Sequence, residues 1–149
     1  MDTIIFACPN CKSLNKLPKK NEYKKAICGN CKANLLENSP IESDDYNEFN
    51  KIISSITIPI IIDFWAPRCG PCQMFAPTFK KVATYFPLKA QFVKVNTEIN
   101  QQVAMNFQIR SIPTIVALKN KTEIDRIMGA VDEASFKTWV DKIIKSTLY

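Results

Sequence analysis

The sequence predicts an α/β fold, a central sheet with helices on both faces, carrying a small module at its N-terminal end. Three observations lead there. Ile60 to Trp65, broken only by Asp63, is an apolar run of strand length, as expected of a strand buried on both faces. Apolar residues at helical spacing flank it, with Tyr46, Phe49, Ile53 and Ile56 before and Phe75, Phe79 and Val82 after. Residues 1 to 37, by contrast, carry two Cys-x-x-Cys pairs around a spacer of Lys, Asn and Pro with little apolar content.

That first stretch is read through its cysteines. Cys8-Pro9-Asn10-Cys11 and Cys28-Gly29-Asn30-Cys31 stand 16 residues apart. Segments below about 40 residues usually need a metal or cross-links to fold. Two tight turns, each gripping with paired thiolates, complete a tetrahedron around Zn2+, and this spacing is that of a four-cysteine zinc ribbon. One zinc per chain, held by Cys8, Cys11, Cys28 and Cys31, is therefore expected; two disulfides are the other pairing these residues permit. Lys12 and Lys32 follow each second cysteine, where many zinc knuckles carry glycine, which leaves the turn geometry open.

The larger domain spans 38–149. Asn38 to Ser43 reads as a linker with a short edge strand around Ile41. Ser43 or Asp44 caps the first helix, whose early Asp45 and Glu48 suit the helix dipole. Ile60 to Trp65 follows as the first central strand, then a helix with Pro71 in its first turn and Pro77 as an interior kink. Gln91 to Asn96 is a strand, Ile99 to Phe107 a short helix, and Thr114 to Leu118 a strand joined through Asn120-Lys121 to another at Glu123 to Met128. Asp132 caps a last helix bearing Phe136, Trp139, Val140, Ile143 and Ile144 on one face.

Composition narrows the function. The chain has 149 residues, 46% hydrophobic, enough for one ordinary domain and an appendage. A formal charge of +6 falls to about +4 once a dication on four thiolates is counted, so nucleic acid is not an expected partner. There are 0 histidines, which excludes His-based catalysis and mixed Cys/His metal sites. All 6 cysteines lie in Cys-x-x-Cys pairs, which suits metal and redox roles in a reducing compartment better than a disulfide scaffold. With no basic, apolar leader at Met1 to Ala7 and no membrane-length apolar run, a cytoplasmic location is expected and no membrane partner.

The chemistry lies in Asp63-Phe64-Trp65-Ala66-Pro67-Arg68-Cys69-Gly70-Pro71-Cys72. A strand delivers a Cys-x-x-Cys to a helix N-terminus, where free N–H groups and the positive dipole end favour an anion. Cys69 is thus the more acidic and nucleophilic thiol. Cys72, one turn into the helix, is the resolving thiol of a disulfide exchange. An ordinary thiol with pKa near 8.5 is only about 3% thiolate at pH 7, so this placement matters. Asp63 puts an acid mid-strand in a buried position, where its pKa should rise.

This segment resembles the active site of the thioredoxin family, whose usual pattern is Trp-Cys-Gly-Pro-Cys, with Arg68 standing where the family has Trp. The resemblance runs from about Pro40 to the C-terminus and takes in Ala76-Pro77, Phe92 to Asn96, Ile109 to Thr114 and Gly129-Ala130. With the ribbon in front, the whole chain is similar to the zinc-binding thioredoxin 2 class of bacteria. The resemblance implies a thioredoxin fold, with a central mixed sheet, and a protein-disulfide reductase with a redox-active Cys69–Cys72 disulfide. It implies that Asp63 relays a proton to Cys72 with Lys94 as partner, although Asp63 also reads as a structural acid paired with Lys94. It further implies a cis Pro113 and a contact surface for disulfide-containing protein substrates at Ile112, Gly70, Pro71, Gly129 and Ala130, to which Arg68 adds partner choice. An NADPH-dependent thioredoxin reductase would return the dithiol. A different class of function stays open: an adaptor that docks partners through Lys16, Lys19, Lys20, Lys24 and Lys25 while the larger domain is a redox-regulated scaffold.

Overall fold

The computed structural model describes residues 2–147 of the chain. Eleven elements are formed: β1 (Thr3–Ala7), β2 (Leu14–Pro18), β3 (Ile41–Glu42), α1 (Tyr46–Ser55), β4 (Ile60–Trp65), α2 (Gly70–Ala83), β5 (Gln91–Asn96), α3 (Gln101–Asn106), β6 (Thr114–Lys119), β7 (Thr122–Met128) and α4 (Glu133–Ser146). Five strands make the main sheet in the order β3-β5-β4-β6-β7, with β3, β5 and β4 mutually parallel, β6 antiparallel to β4 and β7 antiparallel to β6. The mixed sheet expected from the resemblance is therefore present.

Alternation along the central strands sorts the core into two layers. Ile60, Ile62 and Phe64 of β4 join Val93 and Val95 of β5 and Phe49 and Ile52 of α1 on one face. Ile61 joins Phe75 and Phe79 of α2 and Phe136, Val140 and Ile143 of α4 on the other. Aromatic rings dominate this second layer, with Phe75 and Phe136 centroids 5.1 Å apart and Phe79 and Phe92 5.3 Å apart. They anchor the buried side of α2, the helix that begins at the cysteine pair.

Several boundaries differ from the sequence expectation. The first helix is capped by Asp45, not Ser43 or Asp44, because the Asp45 carboxylate accepts the Glu48 backbone N–H at 2.8 Å. The α3 helix is confined to Gln101–Asn106, with no side-chain cap at Asn100. Helix α2 runs over 14 residues through Pro77. The Asn120-Lys121 hairpin forms as expected, both residues at positive φ of 52° and 67°, which matches a two-residue primed turn.

The N-terminal segment holds more structure than its composition announced. β1 and β2 pair antiparallel from Thr3↔Pro18 to Ala7↔Leu14, and neither strand was expected. The run Thr3-Ile4-Ile5-Phe6-Ala7 was the available signal. Phe6, Cys8, Cys28 and Leu35 are fully buried, in the same cluster as Phe49, Ile52 and Val93 of the larger domain. The module thus has no separate core but shares one with the face of the sheet that α1 covers. Polar contacts fix its seat. The Gln91 amide, itself fully buried, accepts from Ala7 N at 2.8 Å and donates to Ala7 O at 3.0 Å. Thr57 clasps Ile5, its hydroxyl accepting from Ile5 N at 2.9 Å and its N–H donating to Ile5 O at 3.2 Å. Buried Asn38 in the connecting segment donates to Ala83 O at 2.9 Å and Ala90 O at 3.3 Å.

Gln91 offers a direct test of this seat. Gln91→Leu preserves bulk but strands two buried backbone groups, each costing about 1 to 3 kcal/mol. The Ala7 amide is expected to lose hydrogen-exchange protection, and the urea midpoint to fall. Unchanged protection at Ala7 would show that the clasp does not hold the module.

Candidate active site and metal centre

At the carboxyl end of β4 the chain passes through Ala66-Pro67-Arg68 and enters α2, for which Cys69 is the N-cap. Cys69 and Cys72 are joined in a disulfide with Cα atoms 5.2 Å apart. The Cys72 backbone N–H points at Cys69 Sγ at 3.2 Å, so a free N–H of the first turn is directed at the leading sulfur. Cys69 is partly exposed whereas Cys72 is 2% exposed. That asymmetry is what an attacking and a resolving thiol require.

Ile112–Pro113 is cis, and the Ile112 carbonyl oxygen lies 3.6 Å from Cys69 Sγ. Gly129, at φ 102°, donates its N–H to Pro113 O at 2.8 Å, which brings the end of β7 to the same place. Arg68, Gly70, Pro71 and Ala130 are exposed and Gly129 is half-buried. Ile112, Pro113 and Gly129 are therefore gathered beside the cysteines.

Asp63 is 1% exposed, and its Oδ1 has no hydrogen-bond partner. Burial pushes its carboxyl up to about 7, with the Lys94 charge pulling the other way. Asp63 and Lys94 are register partners on β4 and β5, but they form no ion pair within 4.0 Å among the described residues. The direct Asp63–Lys94 pairing read from the sequence is corrected accordingly. Lys94 Nζ instead sits over the Trp65 ring, 4.6 Å from its centroid, and acts on Asp63 only through its field. Alternation puts Asp63 and Trp65 on the face of β4 that Ile61 shares with α2 and α4.

Far along the chain, Cys8, Cys11, Cys28 and Cys31 converge until their sulfurs all lie within 4.8 Å of one another. All four are free thiols, and the closest pairs join the two turns, Cys8 to Cys31 at 3.6 Å and Cys11 to Cys28 at 3.7 Å. A tetrahedron with metal–sulfur bonds of about 2.3 Å has edges of about 3.8 Å, so the cluster fits a tetrahedral thiolate site. The turns repeat. Lys12 N donates to Cys8 O at 2.7 Å and Lys32 N to Cys28 O at 3.1 Å. Lys12 and Lys32 adopt φ of 66° and 67°, so both knuckles keep the left-handed turn without glycine.

Sequence reasoning missed the shell around these sulfurs. Asn10 Nδ2 donates to Cys31 Sγ at 3.4 Å, Asn15 Nδ2 to Cys28 Sγ at 3.5 Å and Asn30 Nδ2 to Cys11 Sγ at 3.6 Å. Such donors stabilise thiolate charge. The asparagine preceding the second cysteine in each pair was the signal. Burial pushes the Cys8 thiol up to about 12, while the Ser13 side chain and backbone bring Cys11 down to about 5. A cation satisfies both by holding all four as thiolates.

Comparisons with known proteins point to one family. The family model described as Thioredoxin matches residues 40–142. Thioredoxin C-3 of Corynebacterium nephridii is 38% identical over 139 residues, covering 93% of this chain and 94% of that protein. Thioredoxin 1 of a Nostoc species is 39% identical over 94 residues, covering 63% of this chain and 88% of its own. Among solved structures, the thioredoxin of Malassezia sympodialis superposes with a TM-score of 0.65 at 32% identity, over 72% of this chain and 92% of that one. Plasmodium falciparum thioredoxin superposes with a TM-score of 0.63 at 31% identity, over 68% and 96%.

The Asp63 proton has a thermodynamic consequence. Its ordinary value is 3.8, and the folded chain holds the proton up to about 7. Between those values the native state binds more protons than the unfolded one, so this group's contribution to stability falls as pH rises, then levels off above 7. The full penalty is on the order of 4 kcal/mol. Asp63→Asn should therefore gain stability over wild type progressively from pH 4 to pH 8, read by urea unfolding. A difference that does not grow with pH would overturn the assignment.

Proposed function

The chain belongs to the thioredoxin family, and on that premise we propose that this thiol-disulfide oxidoreductase reduces protein disulfides through Cys69 and Cys72, with a zinc ribbon at residues 1–37. The carrying observation is the partly exposed Cys69 at the N-cap of α2 with a buried Cys72 one turn behind it. The Cys69 thiolate attacks one sulfur of a substrate disulfide, forming a mixed disulfide and releasing the other sulfur as a thiolate that takes up a proton. Cys72 then gives its proton to the Asp63 carboxylate, whose affinity near neutrality suits that exchange, and attacks Cys69 Sγ. The second substrate sulfur leaves as a thiolate and takes up a proton, and two electrons have passed from the Cys69/Cys72 dithiol to the substrate.

Substrate backbone is received at Ile112, beside cis Pro113 and Gly129, with Gly70, Pro71 and Ala130 around it; the nearness of the Ile112 carbonyl to Cys69 supports this. Arg68 removes an aromatic contact and adds a cation beside the thiolate. An exposed charge pair is worth about 0.2 to 1 kcal/mol, against about 1.36 kcal/mol for one pKa unit, so Arg68 tunes the nucleophile without creating it. A separate NADPH-dependent thioredoxin reductase regenerates the dithiol, in the cytoplasm, where the cysteine usage of the chain fits a reducing pool.

The N-terminal four cysteines hold Zn2+, supported by the sulfur spacing and the asparagine donors. The metal contributes a cross-link and no redox change. The chain is thereby placed by proposal in the zinc-binding thioredoxin 2 class.

Protein purified under reducing conditions should contain one zinc per chain, and none would end the ribbon reading. Chelation should lower the thermal midpoint of the whole chain, because Phe6 and Leu35 share a cluster with Phe49 and Ile52.

Reduction of insulin disulfides with dithiothreitol as donor should be accelerated by the wild type and abolished in Cys69→Ser. Cys72→Ser should accumulate a mixed disulfide with substrate, since attack survives and resolution does not. Trapping by Cys69→Ser instead would reverse the two roles, and a wild type no faster than the reagent alone would favour the adaptor reading.

A further inference from the structure

At the end of the sheet opposite Cys69, the N-terminal module and the larger domain enclose a cavity of about 500 Å3 that neither half forms alone. Its floor is apolar, with Ile4 from β1 meeting Ile58, Leu88 and Ile144 of the domain. Among the described residues its polar lining includes four lysines, Lys19, Lys20, Lys89 and Lys119, and no aspartate or glutamate. The size lies inside the range of about 300 to 1,000 Å3 typical of small-molecule sites. We propose that this seam binds a small organic dianion, a phosphate monoester with an apolar or aromatic body being the fitting class, with lysine ammonium groups on the charge and the apolar floor under the body.

Two observations separate this cavity from a chance gathering of surface lysines. The half-buried pair is already held in place: Lys119 Nζ donates to Thr57 O at 2.6 Å, and Lys89 Nζ donates to Asn21 O at 2.7 Å and Lys20 O at 3.3 Å. Each of these contacts is to a neutral carbonyl. Among the described residues none of the four lysines has a carboxylate partner within 4.0 Å, whereas Lys12, Lys145 and Arg126 each have one. Fixed ammonium groups lose little further freedom on binding, and among the described residues their charge has no counter-ion to displace. The loop bearing Lys19 and Lys20 is itself tied back, since the Tyr23 hydroxyl accepts from Lys20 N at 3.1 Å and donates to Pro18 O. Burial and the nearby Lys19 charge also lower the proton affinity of Lys119, a repulsion that a bound anion relieves. The volume is too small for the paired acyl chains of a phospholipid.

The test is titration of the full-length protein at low salt with 1-naphthyl phosphate, and separately with 1-naphthol and inorganic phosphate, by calorimetry and amide chemical shifts. Naphthyl phosphate should saturate one site and shift amides around Thr57, Leu88 and Lys119, with the two fragments at least tenfold weaker. Lys89→Gln and Lys119→Gln should each weaken binding by about two- to fivefold, the effect expected of an exposed to half-buried charge. Insulin reduction by those variants should stay at the wild-type rate, since the cavity lies away from the cysteine pair. The double variant Lys16→Gln, Lys25→Gln, outside the cavity, should bind as wild type. A deletion of Leu148 and Tyr149 should also bind as wild type. The proposal is overturned if naphthyl phosphate fails to saturate at 5 mM, or if inorganic phosphate binds as tightly. Equal weakening in the outside double variant overturns it as bulk charge, and binding that emerges only after the deletion assigns the cavity to the chain's own carboxyl terminus.

Discussion

The burial of β4 on both faces is the constraint from which the rest follows. Ile60, Ile61, Ile62 and Phe64 are 2% exposed or less, so each side of the strand must be covered. Helices α2 and α4 supply one cover and α1, α3 and the N-terminal module the other. A strand so enclosed is rigid, and its carboxyl end presents Cys69 from a fixed platform to the N-terminus of a helix. The site chemistry thus borrows its precision from the core.

The same enclosure explains the unusual acid. An aspartate in the middle of β4 cannot be solvated, and its nearest opposite charge, Lys94, is drawn over the Trp65 ring. The proton is retained to near neutrality as a result. Stability is given up at that residue, in exchange for a group able to take or return a proton in the pH range where thiols are exchanged. Replacing it would stabilise the fold and remove that proton-binding group.

The N-terminal module is best understood as part of this cover. Its two strands and two knuckles bring Phe6 and Leu35 onto the face of the sheet that α1 leaves partly open, while Gln91 and Thr57 satisfy the backbone of β1. The four clustered sulfurs lie in a segment too short to build a core of its own. Because the apolar surface is shared, the state of the cluster is felt in the stability of the whole molecule, and the seam becomes a place where a cavity can form.

Much was legible in the sequence because local chemistry announced it. The double-sided burial of Ile60 to Trp65, the helix opening at Gly70-Pro71, the final amphipathic helix from Asp132 and the four-cysteine spacing each follow from periodicity, capping or ligand geometry over a few neighbouring residues. Tertiary structure decided what depends on distant partners. That Gln91 would turn inward to clasp Ala7, that Asn10, Asn15 and Asn30 would aim their amides at sulfur, and that Lys94 would prefer an aromatic ring to Asp63 are choices made between segments tens of residues apart. Polar side chains carry no periodic signature of such choices. An asparagine or glutamine reads as a surface residue until the chain folds and its amide is the one group able to satisfy a buried neighbour.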